Sequence, residues 1–330
     1  MEKQLKILFL YFGQPRMVEE TLSEHESFIS RIKTFLDAQV DIHYCIWNKY
    51  FEYTSIYPEN NDRKRNTNKY KVFDVGEDLK NTLVKNDNIK CDLYDYSIID
   101  SLWNKVKEHG IQKDTFYIKF AQTISKALGV DTLKNKNYDI VFVLRTDLLF
   151  HRKKDFAYEK LVNKFLEYTS KRKHGTSEDD LRPDSFIFTP YIVHSSLGGT
   201  KVDDKFWISN SKSLKKLFSN WQEKIKYYVQ YYAEHTKIDF RNLSQHNVAA
   251  EFSSVYDRKH FTDLTYTMYI PMCHLVPNLY AKDIVTIVRN IDKDNNFYVG
   301  SRIGKVHAMK KYTDKLIGSQ RNILDEELFK

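Results

Sequence analysis

The stretch YDIVFVLRTDLLF, residues 138–150, constrains the fold more than any other part of the chain. Tyr138, Ile140, Val141, Phe142, Val143 and Leu144 are apolar at odd and even positions alike, so both faces of a strand here call for burial. Such a run belongs inside a mostly parallel sheet with helices on both sides; a sheet with one wet face would alternate. Its short length and β-branched content predict a central strand over 139–144 and not a buried helix. Arg145, Thr146 and Asp147 follow at once. A covered strand has no use for those charges, so they mark its carboxyl end, where open α/β sheets bind their ligands.

The rest of the chain reads consistently with that sheet. Residues 5–12 (LKILFLYF) form a first strand, ended by Gly13-Gln14-Pro15-Arg16. Val18, Leu22, Phe28, Ile29, Ile32, Phe35 and Leu36 then recur at helical spacing, and 40–47 alternates as a second strand. A strand–helix–strand start predicts parallel strands joined by crossover helices. Residues 52–70 are polar and periodless and are expected to be a mobile loop. Helices are predicted over 97–109, 115–134 and 155–170, with a charged loop at 171–183. Beyond it, 184–190 and 205–209 read as strands, and 211–235 reads as one long helix capped by Ser211. A helix over 244–257 and strands at 265–270 and 283–288 complete the pattern. With no internal repeat and no long linker, the 330 residues are expected to form one domain, with halves at 1–150 and 151–330.

Composition narrows the function classes. The net charge of +8 raises the question of an anionic partner. However, clusters such as Arg63-Lys64-Arg65 and Lys171-Arg172-Lys173 are dispersed and mixed with acids, which argues against a dedicated nucleic-acid surface. No apolar run is long enough for a membrane span. Cys45, Cys91 and Cys273 lack metal-ligand spacing and read as ordinary thiols of a reducing, cytoplasmic setting. There is no GxGxxG and no GxxxxGK[ST], which disfavours a Rossmann dehydrogenase or a P-loop ATPase.

The chemistry-bearing residues cluster at two strand ends. Asp147 suits a hard divalent cation, which takes one or two carboxylates plus substrate phosphates. Arg16 and Arg145 suit phosphate, because guanidinium is permanently charged and binds oxyanions bidentately. Together they match a diphosphate-bearing ligand with its metal. The competing reading is that Arg145 and Asp147 simply pair with each other.

The order of a strand, a G-x-P-R loop, a helix and a strand, then FYIKFAQTISKAL followed by YDIVFVLRTDLLF, resembles GT-A-type glycosyltransferases. The resemblance spans most of residues 5–255 and rests on order and spacing, since each motif is short. It implies an α/β fold with a Rossmann-type, mostly parallel sheet flanked by helices, whose first half holds a nucleotide-diphosphate sugar. The second half would be α+β and shape the acceptor site. It also implies a Mn²⁺ or Mg²⁺ ion on an Asp-x-Asp motif, for which this chain has Arg145-Thr146-Asp147. Either Arg145 binds phosphate and leaves Asp147 as the sole ligand from the motif, or metal dependence is weakened or lost. Gly13, Arg16 and Lys119 would lie beside the nucleotide, and His307, or less strongly His274, would be a further metal ligand. Asp203, Asp204 and Glu251 are the acids implied for the acceptor's proton, and Phe206 and Trp207 a wall against a sugar ring. The acceptor implied is a glycan or another hydroxyl. The rivals are transfer to a DNA base, as in viral enzymes, a catalytically inactive binding protein, and, last, a nucleotidyltransferase, whose phosphate loop is absent.

Overall fold

The opening unit forms as its apolar spacing predicts: β1 (Lys6–Gly13), α1 (Val18–Leu36) and β2 (Gln39–Trp47). The computed structural model describes residues 4–53, 70–150, 187, 192–195, 199–202, 205–235, 240, 243, 285–291, 297–300 and 306–309, with helical positions at 158–159, 162–163, 165–167, 169 and 248–249. β3 (Lys49–Tyr53) and β4 (Tyr70–Asp74) follow as an antiparallel ladder. The loop expected at 52–70 is therefore corrected at both ends, where Glu52 pairs with Lys71 and Tyr53 with Tyr70. KYFEY and YKVFD are rich in aromatic and β-branched strand formers, but segments this short give only a weak period signal.

α2 (Glu77–Leu83), β5 (Ile89–Tyr94) and α3 (Ser97–Asn104) come next. The helix expected over 97–109 ends early and yields to a 3₁₀ turn at Lys107–His109, which Gly110 closes at φ 84°. α4 (Lys113–Asp131) leads into β6 (Ile140–Arg145) and β7 (Leu148–Phe150). The remaining elements are the hairpin of β8 (Ile192–Ser195) with β9 (Gly199–Val202), then β10 (Phe206–Ser209), α5 (Ser211–Leu217), α6 (Trp221–His235), β11 (Val285–Ile291), β12 (Phe297–Gly300) and β13 (Val306–Met309).

The main sheet has the order β10-β6-β1-β2-β5. β6, β1, β2 and β5 run parallel, and only β10 is antiparallel to its neighbour. Among the parallel strands, chain order runs outward from β1 through β2 to β5 on one side and jumps to β6 on the other. The gap between the carboxyl ends of β1 and β6 is thus the topological switch point of this α/β sheet. β7, β11, β12 and β13 form a second, antiparallel sheet in the order β13-β12-β11-β7.

Both faces of the main sheet are covered. Ile7, Phe9 and Tyr11 pack with Phe28 and Ile32 of α1, while Leu8, Leu10 and Phe12 pack with Phe120, Ile124 and Ala127 of α4. Every residue of β6 is buried, as its two-sided apolar sequence requires. No helix among the described residues is long and apolar enough to cross a membrane.

The predicted helix over 211–235 is two helices, broken at Asn220, whose φ is 52°. Its cap is Asn210, whose side chain accepts from the Ser213 N–H at 2.8 Å; Ser211 Oγ instead accepts from the Tyr138 N–H. Leu214, Leu217, Phe218, Trp221, Ile225 and Val229 are all buried, so the apolar stripe runs through the break and conceals it. Of 184–190 only Ile187 is described, buried and without regular structure; of 244–257 only Val248 and Ala249 are described, both helical and buried; 265–270 lies outside the described residues.

α4 approaches the sheet closely at Gly129. A Cβ there would lie 2.9 Å from Leu10 Cδ1 and 3.1 Å from Cys45 Sγ. The helical gain of Gly129→Ala, about 1 kcal/mol, is outweighed by overpacking of about 1–3 kcal/mol. Urea denaturation should show the variant less stable than the parent, by up to about 2 kcal/mol.

Candidate functional site at the switch point

The site is built from the two loops that leave β1 and β6. Gly13 ends β1 at φ 95°, a left-handed backbone that glycine adopts without strain, and its N–H donates to Ser125 Oγ of α4 at 2.6 Å. The next side chain, Gln14, donates through its amide to the Tyr96 hydroxyl at 3.2 Å. The Arg16 N–H turns back to Gln14 O at 2.8 Å, and Met17, at φ 51°, starts α1 with no side-chain cap.

Thr146 ties the second loop to the first. Its hydroxyl lies 2.9 Å from Gln14 O and 3.3 Å from Arg16 O, while its own carbonyl accepts from the Thr21 hydroxyl at 2.7 Å. G-Q-P-R and R-T-D, 130 residues apart between Arg16 and Thr146, thereby form one hydrogen-bonded junction. Within it Arg145 Nε and Nη2 donate to Asp147 Oδ1 and Oδ2 at 2.8 and 2.6 Å. This bidentate pair is nearly closed to water, with Arg145 8% and Asp147 1% exposed. Arg145 and Asp147 therefore do pair, whatever further role they have.

His25 of α1 holds the chain just past Asp147. Its Nε2 lies 2.8 Å from Leu148 O and its Nδ1 2.9 Å from the Tyr11 hydroxyl, which fixes a neutral ring donating from Nε2. Burial lowers its pKa from 6.5 to about 4. The fully buried Tyr11 hydroxyl is pushed up for the same reason.

α4 forms the wall beside this junction. Ser125 is level with the end of β1, and Trp47 at the end of β2 donates to Ala121 O at 3.1 Å, so the turns of α4 before Ala121 extend past the sheet. There Tyr117 stacks on Tyr96 with ring centroids 5.5 Å apart, and Tyr96 lies 4.9 Å from Trp47. Lys119 is half-buried on the same stretch. Sequence reasoning missed Lys126, which is 1% exposed and has its ammonium 3.8 Å from the Trp207 ring centre and 4.2 Å from that of Phe12. A lysine inside the apolar stripe of Phe120, Ile124 and Ala127 was the available signal.

Other expected site residues fall elsewhere. Phe206 and Trp207 are fully buried, on opposite faces of the sheet, and belong to the two core clusters; they are packing and not a sugar wall. Asp203, Asp204, Glu251 and His274 lie outside the described residues. His307 is on β13, paired with Val299, in the sheet that begins with β7 directly after Asp147.

No family model matches this chain, and no curated protein matches it. Among solved structures, mouse xyloside xylosyltransferase 1 in its apo form is similar, at 11% identity and a TM-score of 0.32, over 77% of this chain and 86% of that one. That TM-score is below what a shared fold requires, and the functional reading rests on the chain's own residues.

Two outcomes test the geometry. His25 is neutral when folded and titrates at about 4, whereas the unfolded chain titrates at the ordinary 6.5. The stability it contributes is thus complete above pH 6.5 and lost as pH falls through about 4, up to about 3 kcal/mol. Urea titrations between those limits should show a stability slope that His25→Gln reduces. For the ion pair, Arg145→Met or Asp147→Asn alone leaves a buried charge uncompensated and should cost about 3–5 kcal/mol. The double variant should lose clearly less than the sum; additive losses would mean the pair is not coupled.

Proposed function

We propose that the chain is a GT-A-like glycosyltransferase that moves a sugar from a nucleotide-diphosphate sugar to a hydroxyl acceptor, assisted by Mn²⁺ or Mg²⁺. The observation that carries this reading is the junction of G-Q-P-R with R-T-D at the switch point between β1 and β6. Ligands of open α/β sheets bind there, and two arginines at that place suit a diphosphate. Glu19 in the first turn of α1 offsets the positive end of the helix dipole, so the arginines carry phosphate binding more than the helix end does.

The carboxylate of Asp147 has about four lone-pair sites, of which Arg145 takes two, so oxygen-donor capacity remains for a hard cation. Asp147 would hold the ion, with His307 as a further ligand, and the ion would neutralise charge on the departing diphosphate. Arg145 turns from Asp147 to the phosphate oxygens, Arg16 binds them from the β1 side, and Lys119 adds charge from α4. Gly13, with no side chain, lets the backbone approach the nucleotide. In the second half, Asp204 and Glu251 are assigned to taking the proton of the acceptor hydroxyl.

One observation favours the inactive-binder alternative: both oxygens of Asp147 are already engaged by Arg145. A panel of sugar nucleotides and free nucleoside diphosphates, with and without Mn²⁺, separates the readings. A thermal shift together with slow sugar-nucleotide hydrolysis that Mn²⁺ stimulates is expected. Stabilisation without turnover under any condition would indicate a binder, and no response to any nucleotide would remove both. Arg16→Ala should weaken nucleoside-diphosphate binding about tenfold, the loss of one charge-assisted contact.

A further inference from the structure

A second cluster lies on the α4 face of β2 and the sheet's edge strand β5, beside the last turns of α4. His43 and Cys45 are two apart on β2 and so share a face, and Asp92 of β5 is the register partner of Cys45. One ligand atom from each of the three lies within 4.8 Å of the others, and His43 Nε2 is 2.7 Å from Asp92 Oδ2. Sequence spacing of the cysteines alone could not reveal this set, because its members come from two strands and three residue types.

The donors are an imidazole, a thiol and a carboxylate, which suits a borderline ion of the Zn²⁺ kind and not Mg²⁺ or Ca²⁺, which take oxygen. The Thr132 hydroxyl donates to Gly129 O at 2.6 Å and lies 3.2 Å from His43 Nδ1, so the ring is held with Nε2 turned to Asp92. Thr132 also orients the ring as the outer partners of metal-ligating histidines do.

Access and charge fit as well. Cys45 is fully buried and His43 nearly so, but the Asp92 side chain is 48% exposed. A groove of about 90 Å³, lined by His43, Lys90, Thr132, Leu133, Lys136 and Tyr138, opens beside the ring. Burial and then Asp92 push the Cys45 thiol up. The Tyr94 hydroxyl approaches Cys45 Sγ at 3.9 Å. Lys80 and Lys90 act on Asp92 electrostatically and oppose a cation, so neutralisation by both a thiolate and a carboxylate is what makes a divalent ion acceptable there.

We propose that His43, Cys45 and Asp92 form a Zn²⁺-class site, completed by water from the groove, which staples the edge strand β5 to β2. Binding transfers the Cys45 proton to solvent and forms one sulfur–metal bond, with no redox change.

Co²⁺, under anaerobic conditions, is the probe. One equivalent should produce a near-ultraviolet sulfur-to-cobalt charge-transfer band that Zn²⁺ erases and that fades as pH falls. Cys45→Ser should abolish the band, whereas Cys91→Ala, whose thiol belongs to the cluster on the opposite face, should keep it. Asp92→Asn, at a half-exposed position that does not threaten folding, should weaken Co²⁺ binding about tenfold or more. A folded chain with no sulfur band, a band that survives Cys45→Ser, or unchanged affinity in Asp92→Asn would each overturn the site.

Discussion

The two-sided burial of β6 is the constraint from which the rest follows. Its residues are buried without exception, so both faces need a helical layer: α1 covers one and α4 the other. Right-handed crossovers can cover both faces of a parallel sheet only if the chain moves outward from β1 in both directions. The sheet order, with β2 and β5 on one side of β1 and β6 on the other, meets that demand. Its unavoidable by-product is a crevice between the carboxyl ends of β1 and β6, where the crossovers diverge. The candidate site is therefore a consequence of packing before it is a matter of chemistry.

What occupies that crevice in this state is an ion pair that does little for stability. Two charges withdrawn from water lose several kcal/mol each, and even a bidentate contact about breaks even against apolar residues of the same volume. A buried pair at the carboxyl end of the most buried strand is thus better understood through what it can do. An incoming phosphate would offer Arg145 the same fork geometry as the Asp147 carboxylate, and the proposed metal ion would then have to compensate the Asp147 charge that Arg145 leaves. Thr146, between them, holds the loop through Gln14 O and Arg16 O during such an exchange. Around the pair the backbone is tied down, since His25 fixes Leu148 and Thr21 fixes Thr146.

The strands and helices of the first half were legible because burial on one or both faces imposes a period, and residues 6–47 and 113–145 carry that period cleanly. Three cases show what was not legible. The break between α5 and α6 leaves the apolar stripe unbroken, so periodicity alone cannot register it. Phe206 and Trp207 read equally as core or as a ligand wall, because an apolar side chain's type does not disclose what it faces. Lys126 is less legible than Lys119, since a lysine on a helix is normally solvated; the rings of Phe12 and Trp207, from β1 and β10, lie against its buried ammonium. In each case the missing information is long-range: it belongs to the partner element and not to the residue.

α4 draws the two ends of this argument together. Its residue Ser125 meets Gly13 at the switch point, Lys126 lies against Phe12, Gly129 touches Leu10 and Cys45, and Thr132 reaches His43. Those contacts follow one helix face down the sheet, from the carboxyl end of β1 to the middle of β2. The absence of a side chain at Gly129 sets how deep the helix sits, and so the height of Lys126 above Phe12 and the reach of Thr132 to the His43 ring. A change in that depth would move both places at once, because a rigid helix cannot approach at one turn and stand off at the next. The crevice between β1 and β6 and the cluster on β2 and β5 are thus positioned by the same close contact.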